Sequence, residues 1–344
     1  MAKWMEQLGP ESDIIISSRI RLARNVEEFP FPVALTKSKS KDLIKKVRDT
    51  ILEGNTTLKN DFEVFELEEM PQLERQTLVE KYLISSALMD QSEKSAVLLN
   101  KDESVSIMVN EEDHIRIQCL LPGFQLTEAW DTADKIDDVL EESLKYTFDE
   151  ELGYLTSCPT NVGTGIRASV MVHLPALTMT GYINRILQAA SQIGLAVRGI
   201  YGEGTEFTGN IFQISNQLTL GRNEREIIAN LKDVTLQIIQ KERDARNTLL
   251  SSNRIQLEDR MYRSYGTLAN ARILSSQEFM KLLSDLRLAI DMKIIEGISM
   301  DVINQMMVMT QPAYLQKSAG KPLSVNERDI RRAMIVREKL KNIR

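Results

Sequence analysis

The apolar positions divide the chain in two. Through the first two thirds, short apolar runs alternate with polar turns. SAVLLN (95–100), SVSIMVN (104–110) and HIRIQCL (114–120) follow one another with polar connections at 100–103 and 110–113, the pattern of strands joined as hairpins. IRASVMVHL (166–174) and GNIFQISNQL (209–218) read as further strands, and SSRIRLARN (17–25) alternates with the same two-residue period. Helical stretches are expected at 37–51, 72–83, 126–148 and 178–193. The short connections predict a largely antiparallel sheet with helices around it, an α+β arrangement. From Asn223 the period becomes 3.6, with Ile227, Ile228, Leu231, Val234, Ile238 and Ile239 on one stripe. SSQEF then opens a helix expected over 275–294, with Ser275 or Ser276 as its cap and Glu278 in the first turn. A boundary near 250–253 separates a first domain (1–250) from a helical one (251–344). The alternative is one continuous domain with a helical wrap.

Composition narrows the classes. The 344 residues carry 43 Lys and Arg against 49 Asp and Glu, a net charge of −6, which with only 6% aromatics argues against a direct nucleic-acid binder. Two cysteines, Cys119 and Cys158, exclude a disulfide framework, and with only His114 and His173 beside them no structural zinc site is expected. The uncharged run 168–184 contains His173, Pro175 and Gly181 and reads as buried core, not as a membrane span. The first residues hold no apolar signal core, so a cytoplasmic protein is expected. Ten of the 16 glycines lie between Gly153 and Gly221, which places close turns in that part of the chain. No G-x-x-x-x-G-K-[ST] segment and no protein-kinase H-R-D or D-F-G set occurs. Gly163-Thr-Gly165-Ile-Arg-Ala168 satisfies G-x-G-x-x-[GA], but a strand is expected after the glycines where a dinucleotide site needs a helix.

The arginines and acids say more. Arg19 and Arg21 stand two apart on an alternating stretch, so both guanidinia share one face and can meet one anion. Arg116 and Arg167 lie inside expected strands, and Arg198 precedes the glycine-rich GIYGEG. Permanently charged, planar forks suit phosphate oxygens, although each could instead be a partly buried structural ion pair. Asn110-Glu111-Glu112-Asp113 sets three acids between two strands, and Glu203 stands between Gly202 and Gly204. Acids this close repel unless a cation visits, a solvated acidic turn being the plain alternative.

Together SSRIRLARN, VNEEDHIRI, SCPTNVGTGIR and RG-x-x-GE (198–203) resemble the phosphagen (guanidino) kinase family, the creatine and arginine kinases, in the same motif order from about Ile14 to Lys241. The resemblance implies a guanidino-kinase catalytic domain with a mainly antiparallel sheet flanked by helices, followed here by an all-α C-terminal domain. It also implies ATP as phosphoryl donor, with Mg²⁺ held mainly through the nucleotide and no protein-held metal. Residue by residue, it makes Arg19, Arg21, Arg116, Arg167 and Arg198 the arginines that hold the phosphates, with Gly199 beside them. Glu112 matches the carboxylate that orients the guanidinium and takes its proton, and Glu203 the second guanidinium-binding acid on a glycine-rich lid. Glu111 and Asp113 flank the substrate. Cys158 matches the family's reactive cysteine, with an inert buried cysteine as the alternative, and Ser157 the hydroxyl that activates it. Met171 stands where creatine kinases carry a histidine near the adenine, so adenine recognition departs from the pattern there.

Family members acting on free metabolites carry a helical domain ahead of the catalytic one. In this chain Arg19 already opens the core, and about a hundred residues follow the family's end. This architecture resembles the bacterial protein-arginine kinases, as do MPQLERQTLVEKYLIS (70–85) and the terminal RDIRRA. That implies phosphorylation of arginine side chains in proteins, marking them for a Clp-type unfoldase and protease in stress, with an activator protein and a transcriptional repressor among the partners. The stretch 324–344 carries seven basic residues against three acidic. By the same resemblance Arg328, Asp329 and Arg332 bind phosphoarginine and couple it to activity. A terminal helix with a solvated basic face is the alternative. Apolar positions such as Met306, Met307 and Met309 lead to the expectation of a homodimer. The competing functions are a free-arginine phosphagen kinase and a non-catalytic adaptor that reads phosphoarginine.

Overall fold

Alternation along strands decides which side chains meet. In the computed structural model, which describes residues 2–54, 57–199 and 208–341, the strands are β1 (Ile15–Arg24), β2 (Phe62–Glu66), β3 (Ala96–Asn100), β4 (Val105–Val109), β5 (Ile115–Pro122), β6 (Phe148–Asp149), β7 (Gly153–Tyr154), β8 (Ile166–His173), β9 (Leu195–Gly199) and β10 (Ile211–Asn216). β6 and β7 make a separate small hairpin. The other eight form one sheet in the order β2-β3-β4-β5-β1-β8-β10-β9, every neighbouring pair antiparallel. The α+β expectation is met, with an antiparallel sheet flanked by helices and a helical C-terminal region.

One face of the sheet is apolar. Ile20, Leu22, Ile107, Ile117, Cys119, Ala168, Val170 and Ile214 are buried there in a single cluster. It is closed by the helices Lys37–Glu53, Leu126–Glu141 and Ile183–Gln192 and by the first half of the helix Glu224–Asn270. Each Ile, Leu or Val among them contributes about 1.5–3 kcal/mol by leaving water. The opposite face is split. Its apolar part, with Val97, Leu99, Met108, Leu120 and Met171, packs on Trp4 and Met5 and on the C-terminal helices through Phe279, Met280 and Leu283. Its polar part carries the arginines.

Arg24 breaks the pattern. Its register puts a guanidinium on the apolar face, where it donates to Asp137 of the Leu126–Glu141 helix at 2.7 and 3.0 Å and to the Thr164 carbonyl at 3.0 Å, and lies 3.6 Å from the Tyr154 ring centre. A buried charge persists only with such partners.

The helix Glu224–Asn270 opens on a capping box, Asn223 with Glu226, and bends at Asn253 (φ −141°, ψ 36°). The boundary expected at 250–253 thus falls inside one helix, at its kink. The helices Ser276–Asp291, Met300–Met309, Pro312–Ala319 and Val325–Lys341 follow, the first capped by Ser275 through the Glu278 amide. Several expected bounds shift. The 178–193 helix is two, Pro175–Met179 and Ile183–Gln192, because Gly181 takes φ +76° between them. The 126–148 helix stops at Glu141, where Leu144 and Tyr146 turn inward. The 72–83 helix ends at Glu80, and beyond it Tyr82 takes φ +62°, its carbonyl accepting from Gln118 Nε2 at 2.8 Å. No described helix is long and apolar enough to cross a membrane.

Candidate active site

Register gathers the arginines. Arg21 in β1 lies directly opposite Arg167 in β8, Ala23 lies opposite Arg116 in β5, and Arg198 on β9 lies opposite Gln213 of β10. Directly opposed residues project to the same face. Arg21, Arg116, Arg167 and Arg198 line one cavity of about 640 Å³ together with Glu112, Cys158, Asn161, Gly165 and Gln217. Arg19, one pleat along from Arg21 on the same face, does not line that cavity but a second, small recess with Ser17, Tyr82, Met171 and Gln213, its Nε 3.5 Å from Ser169 Oγ.

Crowded, desolvated positive charges leave an electrostatic mark. Burial, then Arg116 and Arg167 nearby, draws Arg19 down to about 10, although the Tyr82 side chain opposes that. Burial followed by Arg19, Arg116 and Arg167 draws Arg21 well below the usual guanidinium value. Arg21 Nε is buried with no hydrogen-bond partner among the described residues. A rigid sheet thus holds an unmatched donor and a ring of like charges that an incoming polyanion would satisfy.

The three acids of 111–113 have separate tasks. Asn110, at φ +60°, turns the chain. Glu111 is 3% exposed and takes three donors: Ser85 Oγ at 2.5 Å, Arg116 Nη1 at 2.7 Å and the Glu112 amide at 2.8 Å. Glu112 is 44% exposed on the cavity wall, with one oxygen 3.0 Å from Arg116 Nη2. Asp113 is buried and accepts at 2.7 Å from both Asn25 Nδ2 and the Ser157 amide, tying the acidic turn to the Cys158 loop. Glu112 is therefore the acid of this turn that lines the cavity, while Glu111 and Asp113 face inward to hold it. The solvated acidic turn, the plain alternative for this segment, does not describe Glu111 or Asp113.

Cys158 lines the cavity half-buried, its Sγ 3.0 Å from Thr160 Oγ1. Ser157 is exposed, so the hydroxyl that meets the thiol is Thr160. Gly199 ends β9 and is buried; Glu203, Gly202 and Gly204 lie outside the described residues. No group of three His, Cys, Asp or Glu able to hold a metal occurs among the described residues. Gly165 (φ +63°) lets the chain pass Ala23: a Cβ there would lie 2.6 Å from the Ala23 carbonyl, which explains the G-x-G segment as close packing. Ser85 and Tyr82 were not anticipated, since an isolated Ser or Tyr ahead of a short helix carries no sequence signal.

At the far end of the chain Arg332 is 2% exposed, donating to the Thr310 carbonyl at 3.0 Å, the Leu274 carbonyl at 2.7 Å and Asp329. Arg328 lies half-buried, close enough to Glu80 to act on its charge. Arg332 is thus committed to the fold and to holding Asp329.

The chain matches two family models: "ATP:guanido phosphotransferase, C-terminal catalytic domain" over residues 42–245, and "Protein-arginine kinase McsB C-terminal domain" over 254–344. It is 54% identical over 341 residues to a protein-arginine kinase of Halalkalibacterium halodurans, covering 99% of this chain and 96% of that one. The protein-arginine kinase of Bacillus subtilis is 52% identical over 340 residues, 99% and 93% of the two chains. Among solved structures it resembles a lombricine kinase (TM-score 0.59, 24% identity, 70% of each chain). A duplicated taurocyamine kinase of Schistosoma mansoni is similar (TM-score 0.60, 24% identity, 76% of this chain and 39% of that one). These two likenesses bear on fold alone.

Proposed function

This chain belongs to the ATP:guanido phosphotransferases, in their protein-arginine kinase branch, and we propose that its arginine-lined cavity binds ATP and passes the γ-phosphoryl group to arginine side chains of proteins. The observation that carries the reading is that, among the described residues, one cavity brings together the guanidinia of Arg21, Arg116, Arg167 and Arg198, an unmatched Arg21 Nε and the outward carboxylate of Glu112. Phosphoryl transfer gains little from covalent help and much from alignment and charge neutralisation. Arg19, Arg21, Arg116, Arg167 and Arg198 hold the phosphates in line. A guanidinium is a poor nucleophile while protonated. Glu112 grips it and takes its proton as the nitrogen attacks the γ-phosphorus, a P–N bond forming as the bond to the β-bridging oxygen breaks and ADP leaves. Glu203 serves as second grip. Cys158, beside Thr160, adds a polar contact at the same rim. Mg²⁺ would be held mainly through the nucleotide phosphates, as in the family this chain resembles, and would supply charge neutralisation there.

Further readings rest on the family likeness. The phosphorylated proteins are substrates of a Clp-type unfoldase and protease under stress, in the cytoplasm, and an activator protein accompanies a homodimer. A transcriptional repressor is one substrate. Phosphoarginine binds at Arg328 and Asp329, with Arg332 holding Asp329 rather than touching the ligand.

The test is incubation with ATP and an unfolded casein-like protein, in competition with free arginine. Phosphate that is acid-labile and alkali-stable on the protein is the expected product, lost in Glu112→Gln while ATP still binds. Strong preference for free arginine would support the phosphagen-kinase alternative, and undiminished labelling by Glu112→Gln would remove that residue as base.

A further inference from the structure

The C-terminal helices do more than cover apolar surface. Ser284, on the helix Ser276–Asp291, is buried, and its hydroxyl meets two groups of the sheet domain. Asn210 Nδ2 donates to Ser284 Oγ at 2.8 Å, and His173 Nε2 lies 2.8 Å from the same oxygen. His173 is the last residue of β8, and burial, reinforced by Arg287 and Arg246, draws it well below the usual imidazole value, so the ring is neutral and suited to a hydroxyl partner. Asn210 takes φ +54°, accepts from the Leu174 amide at 2.9 Å and immediately precedes β10. One turn earlier on the same helix, the Met280 carbonyl lies 2.8 Å from where a Cβ on Gly209 (φ +67°) would stand. Two consecutive residues of the turn, 209 and 210, are thus seated on two helix residues four apart, which share one helix face.

That turn starts the strand that places Arg198. β10 pairs with β9 through Phe212 opposite Gly199 and Gln213 opposite Arg198, and β9 is the edge strand of the sheet, so β10 alone fixes it in the ladder. We propose that Ser284 is a positioning residue for nucleotide binding: by pinning Asn210 and His173 to the C-terminal helix it sets the start of β10 and, through the β10–β9 register, the reach of Arg198 into the cavity. The inference rests on the reading of that cavity as the ATP site. Without the hydroxyl, the part-buried Asn210 Nδ2 loses its acceptor on the helix, and the turn is no longer pinned there. An edge strand transmits a shift of that turn directly to its side chains.

The experiment compares ATP binding by calorimetry, and KM for ATP and for an arginine-bearing protein, in the full chain and in Ser284→Ala, Asn210→Ala and the double variant. Ser264→Ala is the control, since it removes a buried hydroxyl that bonds Asp285 at 2.9 Å inside the helical region. Expected is a roughly tenfold weaker ATP affinity in Ser284→Ala and in Asn210→Ala, no further loss in the double variant, and a KM for the protein substrate within about twofold of the parent. Ser264→Ala should lower Tm and leave ATP affinity unchanged. A lowered Tm with parental ATP affinity in Ser284→Ala would reduce the residue to a structural contact and overturn the proposal, as would losses that multiply in the double variant. Absence of ATP binding in the parent itself would remove the assignment of the cavity and this inference together.

Discussion

Replacing Glu111 by Gln separates the acid that holds the site from the acid that lines it. The Glu111 carboxylate is surrounded by donors: Ser85 and Arg116 on one oxygen, the Glu112 amide on the other. An amide can accept at only one end. With its oxygen toward Ser85 and Arg116, its NH₂ faces the Glu112 N–H; reversed, the NH₂ faces the Arg116 fork. Either way one buried donor meets another and one charge-assisted bond is lost, about 2–4 kcal/mol in all. The loss is less than breaking an isolated buried pair, because Arg116 keeps Glu112 at 3.0 Å. Glu112→Gln, at an exposed position, should cost at most about 1 kcal/mol of stability. Urea unfolding of the two variants, read beside phosphoryl transfer, makes the comparison. Glu111→Gln should unfold at clearly lower urea and bind ATP more weakly, since Arg116 is no longer held from both sides. Glu112→Gln should unfold near the parent and fail in transfer. Equal unfolding midpoints for Glu111→Gln and the parent would refute the claim that three donors converge on that carboxylate.

Two further outcomes follow from buried groups. Burial, only partly offset by Arg287 and Arg246, pushes Asp291 up to about 7. Between the ordinary carboxyl value near pH 4 and that point, the folded protein keeps a proton the unfolded chain has released, so stability falls as pH rises and levels off above 7. The slope is at most about 1.4 kcal/mol per pH unit, and Asp291→Asn should flatten it in urea unfolding at pH 5, 6 and 7; an unchanged slope would mean the group is not protonated in the fold. Gly165→Ala would set a Cβ 2.6 Å from the Ala23 carbonyl and 2.7 Å from Arg24 Nη1 at φ +63°. A strained backbone alone costs about 1–2 kcal/mol, so Tm should drop and, because Gly165 lines the cavity, ATP affinity should fall with it; a parental melting curve would contradict the close approach.

The arginine face was readable because it depends on parity. Arg19 and Arg21 share a period of two, and once SSRIRLARN is a strand their common side follows without knowing its neighbours. Arg24 was not readable in the same way. Nothing local says that the one arginine out of phase finds Asp137, more than a hundred residues on, and becomes structural. The acids of 111–113 show the same limit. Their spacing marks a turn, but which carboxylate points out is decided by Ser85, Asn25 and the Ser157 amide, each supplied by a distant segment. Two helix ends differ from the expectation where a residue takes positive φ, at Gly181 and at Tyr82, the latter held by Gln118 from a distant strand. Glycine gives such a conformation some local warning and tyrosine gives none.

The division of the chain into a catalytic and a helical part describes the sequence better than it describes the forces. The face that carries the arginines also carries Val97, Leu99, Met108, Leu120 and Met171, and those side chains lie in one core with the C-terminal helices. Like charges brought together on a strand destabilise the free protein, and Arg21 in particular has a buried donor with no acceptor among the described residues. Their positions persist because the backbone beneath them is clamped from both sides, by the aliphatic cluster under the sheet and by the helical region over the rest of the same face. Rigidity of that kind is what lets a cavity wait for a phosphate chain with its donors already aimed, so that binding need not supply the ordering. It also means that anything altering how the C-terminal helices sit on β3, β4 and β8 acts on the same sheet that holds Arg167 and, through β10, on Arg198.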